Sequence, residues 1–503
     1  MSFGVLQGVR AGTSLRRESG ELISDPQILG RDASLTEQSD QHEIQRRAAS
    51  LLSRDLIARG LLRRRGRSPR AFANRASETA KRSIARFSAA CALLRSQAES
   101  AFSGRQAASP PEYAIITPVP PQQTGIADYT AGLIHGLRSL GNQVTVFTQS
   151  RFAQSSGAEL APVYPLSAFK SRKWPPQRTI YQLGNNTHFH DEITLHFLEH
   201  GGIAHIHDLA MHHLFAYFTF GRDHESYYAL ISKWYGADIS NRIRNQHDAG
   251  GPYFWANANI VDYPLNEEVI AKATGVIVHS EFSEMQIRRR FRKTRVYVVP
   301  QRYPGLSACR RTRGQRLRIS SLGFVDQRKR VDSTISAIAM CRDRGVEIHL
   351  DVVGRLDPSC AGLPDLCREL QVDHLVKFWG FLPPAEFGDI FAATDLCVAL
   401  RDQSVGETSA IAARAVQYGV PLIVNDVGSF SELPPCTIKI PPGSDADRAL
   451  ADHLYGLATD GQRYADMANG AYEFGTTEGS FAAASKLYSD AIHDISLLET
   501  SVR

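Results

Sequence analysis

Two kinds of apolar pattern alternate along most of the chain: short continuous runs, and longer segments in which apolar residues recur every three or four positions. Continuous runs of about four to eight residues are typical of strands buried on both faces, and the wider spacing is typical of amphipathic helices. Alternation of the two predicts parallel sheets covered by helices, which is the α/β fold class.

The apolar runs form two series, separated by a basic linker around residues 302–316. The first series predicts strands over 113–118, 143–149, 179–184, 203–208, 275–280 and 296–301. The second series predicts strands over 318–323, 348–354, 376–380, 395–400, 421–426 and 437–442. Two Rossmann-like units in tandem leave a cleft between them, and open parallel sheets bind ligands at the carboxyl ends of their strands.

The patterns divide the chain into four parts. We predict a basic, Ser/Arg-rich extension over 1–110 and an N-terminal Rossmann-like domain over 111–302. A C-terminal Rossmann-like domain follows over 303–478, and a terminal helical segment over 479–503.

The charge of the chain is concentrated in the extension. Residues 1–110 carry 19 Lys+Arg against 10 Asp+Glu, which leaves 38 against 42 for the rest of the chain. Helical spacing of apolar residues occurs over 43–63 and 77–101. One interpretation is a helix on an anionic membrane surface. Its lipid-facing residues would be Leu51, Leu52, Leu56, Ile57, Leu61 and Leu62. The simpler interpretation, which we prefer, is a disordered extension with fraying helices.

Composition excludes several other classes of protein. A hydrophobic content of 43% is that of a globular chain. No apolar run reaches the roughly 18 to 20 residues of a membrane-spanning helix, and the N-terminus lacks a signal-peptide core, so we expect a cytoplasmic protein. The seven cysteines form no Cys-x-x-Cys pair, which argues against disulfides and cysteine-ligated zinc. No dinucleotide or Walker loop follows a predicted strand, and we expect no nucleic-acid partner.

The most informative strand-to-helix turn lies in the segment 401–426. We predict that Gly406, Glu407, Thr408 and Ser409 open a helix whose backbone N–H groups attract a pyrophosphate, with the Glu407 carboxylate placed for sugar hydroxyls. The alternative needs no ligand, because Ser404-x-x-Glu407 also spells a capping box. The residues alone leave both interpretations open.

Two further turns carry candidate ligand-binding residues. In the segment 323–332, Arg328, Lys329 and Arg330 fall in the first turn of a helix, where each cation opposes the dipole by roughly 0.3 to 1 kcal/mol. A bound diphosphate would reverse that sign; the alternative is a solvated basic turn. In the segment 117–137, Gly125 would let the backbone approach a ligand, or would simply allow a tight turn.

The letters HFLEH at 196–200 spell the inverted zinc-peptidase pattern. That site needs both histidines and the glutamate on one helix with a further acidic ligand, in a different class of fold. Gly201-Gly202 ends the predicted helix at once, and a buried strand follows. We therefore interpret His196 and His200 as C-terminal helix residues that suit the helix dipole, and a zinc hydrolase is disfavoured.

Taken together, five segments resemble the retaining, nucleotide-sugar-dependent glycosyltransferases of the GT-B fold called family 4. They are TGIADYTAGLIHGL, IHDLAMHHL, YPLNEEVIAKATGVIVHSEFS, SLGFVDQRKRVDSTISAIA and LRDQSVGETSAIAARAVQYGVPLIVNDVGSFSELP. The resemblance covers about residues 112–500 and includes bacterial polysaccharide mannosyltransferases and glucosyltransferases. It implies that the segment 479–503 crosses back to the first domain.

The resemblance also implies roles for particular residues. Lys329 occupies the place of the family's diphosphate-binding lysine, but Phe324 stands where the family has an arginine, leaving Arg328, Arg330 or Arg401 as substitutes. The family's pair of glutamates reads Gly406 and Arg414. The chain resembles a subgroup whose members have the sequence GETS at this place. In that subgroup the glutamate, here Glu407, is shifted by one position and contacts the sugar. Glu432 is then a candidate for binding the ribose.

At the end of the fourth predicted strand, His207 and Asp208 resemble the family's histidine that touches the donor sugar near the reacting carbon. The alternative is a buried histidine held by Asp208 for structural reasons. The implied reaction transfers a hexosyl group from a nucleoside diphosphate sugar to a glycan or lipid-linked acceptor, without a metal or other cofactor. Two other classes stay open: an epimerase or hydrolase of the same fold, and a degenerate, non-catalytic transferase.

Overall fold

The computed structural model describes residues 35–62 and 112–497, apart from 123, 156–161, 221–223, 255–257, 405 and 444. The basic run 63–70 and the helical spacing at 77–101 lie outside the described residues.

The N-terminal domain is built on a seven-stranded parallel sheet with strand order β3-β2-β1-β4-β5-β6-β7. Its strands are β1 (Glu112–Ile116), β2 (Gln143–Thr148), β3 (Val163–Pro165), β4 (Thr179–Leu183), β5 (Gly202–Ile206), β6 (Ala273–Val278) and β7 (Val296–Val298). The central strands β4 and β5 are buried at every position, because helices cover both faces of the sheet.

The C-terminal domain is built on a six-stranded parallel sheet with strand order β10-β9-β8-β11-β12-β13. Its strands are β8 (Arg318–Leu322), β9 (His349–Val353), β10 (Val376–Gly380), β11 (Leu396–Ala399), β12 (Leu422–Asn425) and β13 (Thr437–Ile440). In each sheet the first strand of the domain is central and the chain winds outward on both sides, which is the doubly wound arrangement.

Helices cover both sheets. Those before and within the N-terminal domain are α1 (Leu35–Ala58), α2 (Gly125–Ser139), α3 (Thr187–His200), α4 (His212–Thr219), α5 (His224–Tyr235), α6 (Ala237–Asp248), α7 (Glu267–Ile270) and α8 (Glu281–Arg290). Those that follow are α9 (Val331–Asp343), α10 (Leu363–Glu369), α11 (Pro384–Ala392), α12 (Ala410–Tyr418), α13 (Ala446–Thr459), α14 (Gly461–Thr476) and α15 (Phe481–Ser496).

The predicted fold class is confirmed. Every strand predicted from an apolar run is present, with ends that differ by up to three residues. The prediction missed β3, because this edge strand has only three residues and prolines at 162 and 165 interrupt the apolar run around it.

The helix at the start of the described chain packs against the N-terminal domain. Ile44, Ala48 and Leu52 of α1 belong to that domain's core, and Leu56 is fully buried. At the edge of the contact, Arg47 forms an ion pair with Glu199 of α3 at 2.9 Å. The proposed lipid-facing surface is therefore wrong for Leu52 and Leu56, because protein already covers them. Among the described residues, no helix is both long and apolar enough to cross a membrane.

The last helix returns to the N-terminal domain. Tyr488, Ile492 and Ile495 of α15 are fully buried in one cluster with residues of β1 and α2. Gly275 on β6 makes room for this contact, since a Cβ there would lie 2.6 Å from the Ile495 side chain. The chain thus crosses between the domains twice, which restrains how far they can separate.

The packing of α1 can be tested by truncating Leu56. Leu56→Ala should lower the free energy of unfolding by about 2 to 5 kcal/mol, because it leaves a cavity in a closed site. The matched control is Leu61→Ala, where the leucine is 38% exposed and a change below about 0.5 kcal/mol is expected. Equal midpoints of urea unfolding for the two variants would show that α1 does not belong to the folded core.

Candidate active site

The two domains touch where the carboxyl ends of β5 and β11 face each other. Asp208, just after β5, and Glu407, in the loop after β11, form an antiparallel backbone bridge across the domains. Gly406 beside it has a φ of +83°, and a Cβ there would lie 2.5 Å from the Leu209 Cβ. Only glycine combines this backbone conformation with so close an approach.

A second contact between the domains involves Glu432. Its carboxylate accepts hydrogen bonds from the backbone N–H groups of Glu281, at 2.6 Å, and Phe282. These groups are the first N–H donors of α8, so Glu432 of one domain caps a helix of the other. Both oxygens have protein partners in this arrangement, which does not fit the ribose contact predicted for Glu432.

A third contact crosses the domains at Arg414. This residue lies on α12, with its guanidinium 3.9 Å from the centre of the Tyr303 ring and 4.0 Å from the Asp128 carboxylate of α2. Burial raises the pKa of Asp128, and Arg414 opposes that rise. The position that carries a glutamate in the resembled family thus carries a cation that pairs across the cleft.

Lys329 lies partly buried in the short turn that follows β8. Its Nζ donates to the Leu322 carbonyl at 2.5 Å and passes close to Gly323, where a Cβ would lie 2.8 Å from it. Gly323 has a φ of +87°, so glycine serves both the turn and the lysine. Burial and the neighbouring Arg401 lower the pKa of Lys329 to about 8.

Of the three candidate substitutes for the missing arginine, Arg401 lies beside Lys329. Its backbone N–H donates to Asn425 at 2.8 Å, and its Nε lies 3.4 Å from a Glu407 carboxylate oxygen. Burial lowers the pKa of Arg401, and Glu407 opposes that shift. A partly buried lysine, a partly buried arginine and one glutamate therefore converge at the cleft edge of the C-terminal sheet.

The other two arginines are held by carboxylates. Arg328 pairs with Asp326 at 2.5 Å and is largely exposed. Arg330, which has a φ of +48°, pairs with Asp402 at 2.5 Å and with Asp332 at 3.3 Å. Arg401 also pairs with a carboxylate, but its side chain is 16% exposed against 64% for Arg328, and its charge acts on Lys329 more strongly than that of Arg328. Arg401 is therefore the better candidate for the arginine that Phe324 replaces.

The GETS segment is a loop and not a helix start. Helix α12 begins at Ala410, and Ser409 is its N-cap, accepting from the Ala412 N–H at 3.2 Å. The Ser404 hydroxyl accepts from the Gly406 N–H at 3.0 Å, so the predicted Ser404–Glu407 capping box is absent. Thr408 is half-buried in this loop. Gly406 and Glu407 therefore reach the cleft in the loop between β11 and α12, and α12 begins three residues after Glu407.

Gly125 is the first residue of α2, after the loop that follows β1. The residue is exposed and the space beside its Cα is open. Thr124 is the N-cap. The structure leaves room for a ligand against Gly125.

His207 lies in the floor of the cleft, 8% exposed, with both ring nitrogens in hydrogen bonds. Nε2 is 2.6 Å from the Gln182 side-chain oxygen, and Nδ1 is 3.0 Å from His279 Nε2. The Asp208 carboxylate accepts a hydrogen bond from the Asn185 backbone N–H at 2.8 Å. Burial raises the pKa of Asp208, the hydrogen bond from Asn185 opposes that rise, and the charge of Glu407 adds to it. The alternative in which Asp208 holds His207 is wrong, because Gln182 and His279 do so.

The HFLEH histidines form no metal site in the structure. His196 and His200 stack with ring centres 4.1 Å apart at the end of α3, while Glu199 turns to Arg47 of α1. His196 bonds the Tyr181 hydroxyl and His200 the His196 carbonyl. In the structure these three side chains thus have protein partners, and Glu199 points away from the two histidines.

Sequence reasoning missed His279, Gln182 and Asp128. His279 directly follows β6, the neighbour of β5, so its place at the end of an adjacent parallel strand was the signal that it would meet His207. Asp128 meets Arg414 only through the packing of the two domains, and the sequence carries no signal for that contact.

Comparisons with known proteins agree with this architecture. Residues 316–460, most of the C-terminal domain, match the family described as "Glycosyl transferases group 1". Sucrose-phosphate synthase from Thermosynechococcus elongatus aligns with a TM-score of 0.51 and 16% identity over 78% of this chain and 100% of that chain. The C-terminal domain is thus a glycosyl transferase group 1 domain, and the two-domain fold is GT-B.

Two further structures align at lower similarity. The Anabaena protein HepE in complex with UDP and glucose gives a TM-score of 0.47 and 13% identity over 76% of this chain and 99% of that chain. WaaG, a glycosyltransferase involved in lipopolysaccharide biosynthesis, gives 0.46 and 14% over 76% and 99%. Curated protein sequences give no significant match.

The close contact at Gly406 predicts a specific stability difference. Gly406→Ala should destabilise the protein through both the positive φ, about 1 to 2 kcal/mol, and the clash with Leu209, about 1 to 3 kcal/mol. Gly443→Ala is the control, since its φ is +105° with nothing within 4 Å of the added Cβ. Thermal unfolding of both variants measures the difference, and equal losses would mean that the domains do not meet at Gly406.

Proposed function

We propose that this protein is a glycosyltransferase that moves a hexosyl group of the mannose or glucose type from a nucleoside diphosphate sugar to an acceptor hydroxyl. The observation that carries the proposal is the meeting of Lys329, Arg401 and Glu407 with Asp208 of the other domain at the cleft. We also place the chain in family 4, within the subgroup that writes GETS, and propose retention of the anomeric configuration without a metal.

The cation pair supports binding of a diphosphate. Lys329 and Arg401 are both partly buried. Burial, followed by the charge of Arg401, lowers the pKa of Lys329. Arg328 adds a third positive charge, and the neighbouring carboxylates are Asp326 and Glu407. An excess of positive charge in a place with little water is costly unless an anion balances it. A diphosphate would complete the balance, and the same cations would stabilise the charge that develops on it as the sugar leaves.

We assign the donor sugar to the place where Glu407 of one domain meets Asp208 of the other. Glu407 and Asp208 present carboxylates from opposite domains, suited to accept hydrogen bonds from sugar hydroxyls. Gly125, with open space beside it, lets a ligand approach the start of α2. We assign His207 a positioning role, because its ring is fixed by Gln182 and His279 and it directly precedes Asp208.

Substrate entry requires the domains to part. The bridge at Asp208 and the cap formed by Glu432 both close the cleft on the side of β5 and α8. Opening would break these contacts, and closure around the donor would restore them and exclude water, which otherwise hydrolyses the donor. Glu432 then stabilises the closed state and is not assigned to the ribose.

The acceptor is proposed as a glycan or a lipid-linked saccharide. A lipid-linked acceptor would bring the enzyme to the cytoplasmic face of a membrane, where a basic N-terminal extension is attracted to anionic lipid. A degenerate transferase is disfavoured, because Arg401 near Lys329 supplies a second cation in place of the family's arginine, whose position is Phe324 in this chain.

A donor screen tests the proposal. GDP-, UDP-, ADP- and dTDP-sugars should be compared for thermal stabilisation of the purified protein, where a true donor raises the free energy of unfolding by about 2.7 kcal/mol at a hundredfold excess over its Kd. NMR of the product with a suitable acceptor then reports the anomeric configuration. Donor turnover without any acceptor would instead indicate an epimerase or a hydrolase, and no binding by any of these donors would refute the proposal.

Replacement of Glu407 tests the site. Glu407→Gln should lower kcat for transfer by roughly 10²-fold or more while the fold is retained, because a neutral amide cannot offset Arg401 or accept from sugar hydroxyls as a carboxylate does. Glu369→Gln on the exposed face of α10 is the matched control and should leave kcat unchanged. Full activity in Glu407→Gln would remove Glu407 from the site.

The lowered pKa of Lys329 predicts a pH dependence of donor binding. Lys329 is protonated below a pH of about 8 and loses its charge above it, so the donor Kd should be constant below that pH and rise about tenfold per pH unit above it. Lys329→Arg keeps the charge and should abolish the rise. Calorimetric titrations between pH 6.5 and 9.5, spanning roughly 1.5 units on either side of this pKa, measure it. A flat profile in the native chain would contradict diphosphate binding by Lys329.

A further inference from the structure

Three histidines converge in the interior of the N-terminal domain, below the cleft. They are His205 on β5, His207 just after β5 and His279 just after β6. One ring nitrogen from each lies within 4.8 Å of those of the other two, and all three side chains are buried. Among the residues that the structure describes, no other group of three or more histidine, cysteine or acidic side chains meets the same criterion.

Each ring has one nitrogen bound to an outer partner. His279 Nδ1 donates to the Val299 carbonyl at 2.9 Å, His207 Nε2 lies 2.6 Å from the Gln182 oxygen, and His205 Nδ1 lies 3.2 Å from the Tyr488 hydroxyl. Metal-binding histidines are oriented in this way, with the second nitrogen donating to a carbonyl, a carboxylate or another oxygen.

The remaining three nitrogens face one another. They are His279 Nε2, His207 Nδ1 and His205 Nε2. The first two lie 3.0 Å apart, and His205 Nε2 is fully buried without a hydrogen-bond partner. A buried polar atom without a partner costs about 1 to 3 kcal/mol as a rule, so this nitrogen points to a ligand at the centre of the cluster.

The hydrogen-bond roles of the rings allow a ligand here. His279 Nδ1 must carry a proton to donate to Val299, so its Nε2 can only accept. His207 Nδ1 can donate to it when Gln182 turns its amide N–H towards His207 Nε2. Alternatively, a cation lies between His207 Nδ1 and His279 Nε2, and the His207 Nε2–H donates to the Gln182 oxygen. The second arrangement is the one that also gives His205 Nε2 a partner.

We propose that His205, His207 and His279 bind one divalent transition-metal ion, which Zn²⁺ fits best, at the end of β5 and β6. Three imidazole nitrogens are a known zinc ligand set, with a water molecule as the usual fourth ligand. Zinc–nitrogen bonds of about 2.0 to 2.1 Å would draw the nitrogens to roughly 3.3 Å from one another. The farthest pair must approach by roughly 1.5 Å. Because the rings of His205 and His207 stack with centres 4.3 Å apart, metal binding requires these rings to turn until their nitrogens point to one ion.

The ion would have a structural role. It would link the ends of two adjacent strands directly beneath Asp208, and so fix the N-terminal half of the site. The charges around the ion are unfavourable for tight binding, because none of the three ligands is a carboxylate and the cation Arg302 is near His279. Arg302 is itself held by the Gly479 and Gln301 carbonyls at 2.7 Å. We therefore expect a site weaker than those of zinc proteins that also use a carboxylate or a thiolate.

The test uses the full chain without a histidine tag. After treatment with a chelator, the protein is titrated with Co²⁺, and we expect one ion per chain with the intense visible absorption of tetrahedral coordination, together with a higher melting temperature. X-ray absorption of the zinc form should show nitrogen ligands at about 2.0 to 2.1 Å with the scattering pattern of imidazole. Saturating Co²⁺ without bound metal, or a zinc spectrum without imidazole, would overturn the proposal.

Variants separate this site from surface histidines. His205→Gln and His279→Gln should each lose the cobalt spectrum, whereas His200→Gln, in the coincidental HFLEH pattern, should keep it. Unchanged cobalt binding in His205→Gln would place the metal elsewhere and refute the assignment. If the buried variants do not fold, the X-ray absorption of the native chain decides alone. All of these measurements are independent of transferase activity.

Discussion

The contact of Gly406 with Leu209 is the constraint on which the site depends. It brings the backbone of one domain against the other at the carboxyl ends of β5 and β11, and the neighbouring bridge joins Asp208 to Glu407. Any side chain at Gly406 would hold the two edges apart. Because parallel sheets present their functional residues at this edge, the separation of the domains decides whether the candidate residues form one site or two unrelated surfaces.

Buried charge is the second constraint. Lys329 and Arg401 lie near each other, with Arg328 as a third cation and with Asp326 and Glu407 as the neighbouring carboxylates. The C-terminal half of the site therefore carries an excess of positive charge. Burial, followed by the charge of Arg401, lowers the pKa of Lys329. Under the proposed function, a bound diphosphate would relieve the repulsion between the cations.

The histidines show which metal-binding arrangements can be recognised in a sequence and which cannot. The HFLEH letters match a zinc motif, yet Glu199 faces Arg47 and the two rings stack on each other. The buried group that does converge takes its members from the ends of two strands more than seventy positions apart, His205 with His207 and then His279. Spacing along one helix can be recognised in a sequence, whereas convergence of neighbouring strand ends needs the strand order.

The sequence by itself determined the α/β class, the place of nearly every strand and the group of residues from which the site is drawn, because apolar runs and helical spacing are local. It could not determine that α1 packs on the N-terminal domain, that Ser409 and not Ser404 caps α12, or that Glu432 caps a helix across the cleft. It also left three arginines equivalent. Only the tertiary structure placed Arg401 near Lys329, because the two residues come from different strand-to-helix connections that are more than seventy positions apart.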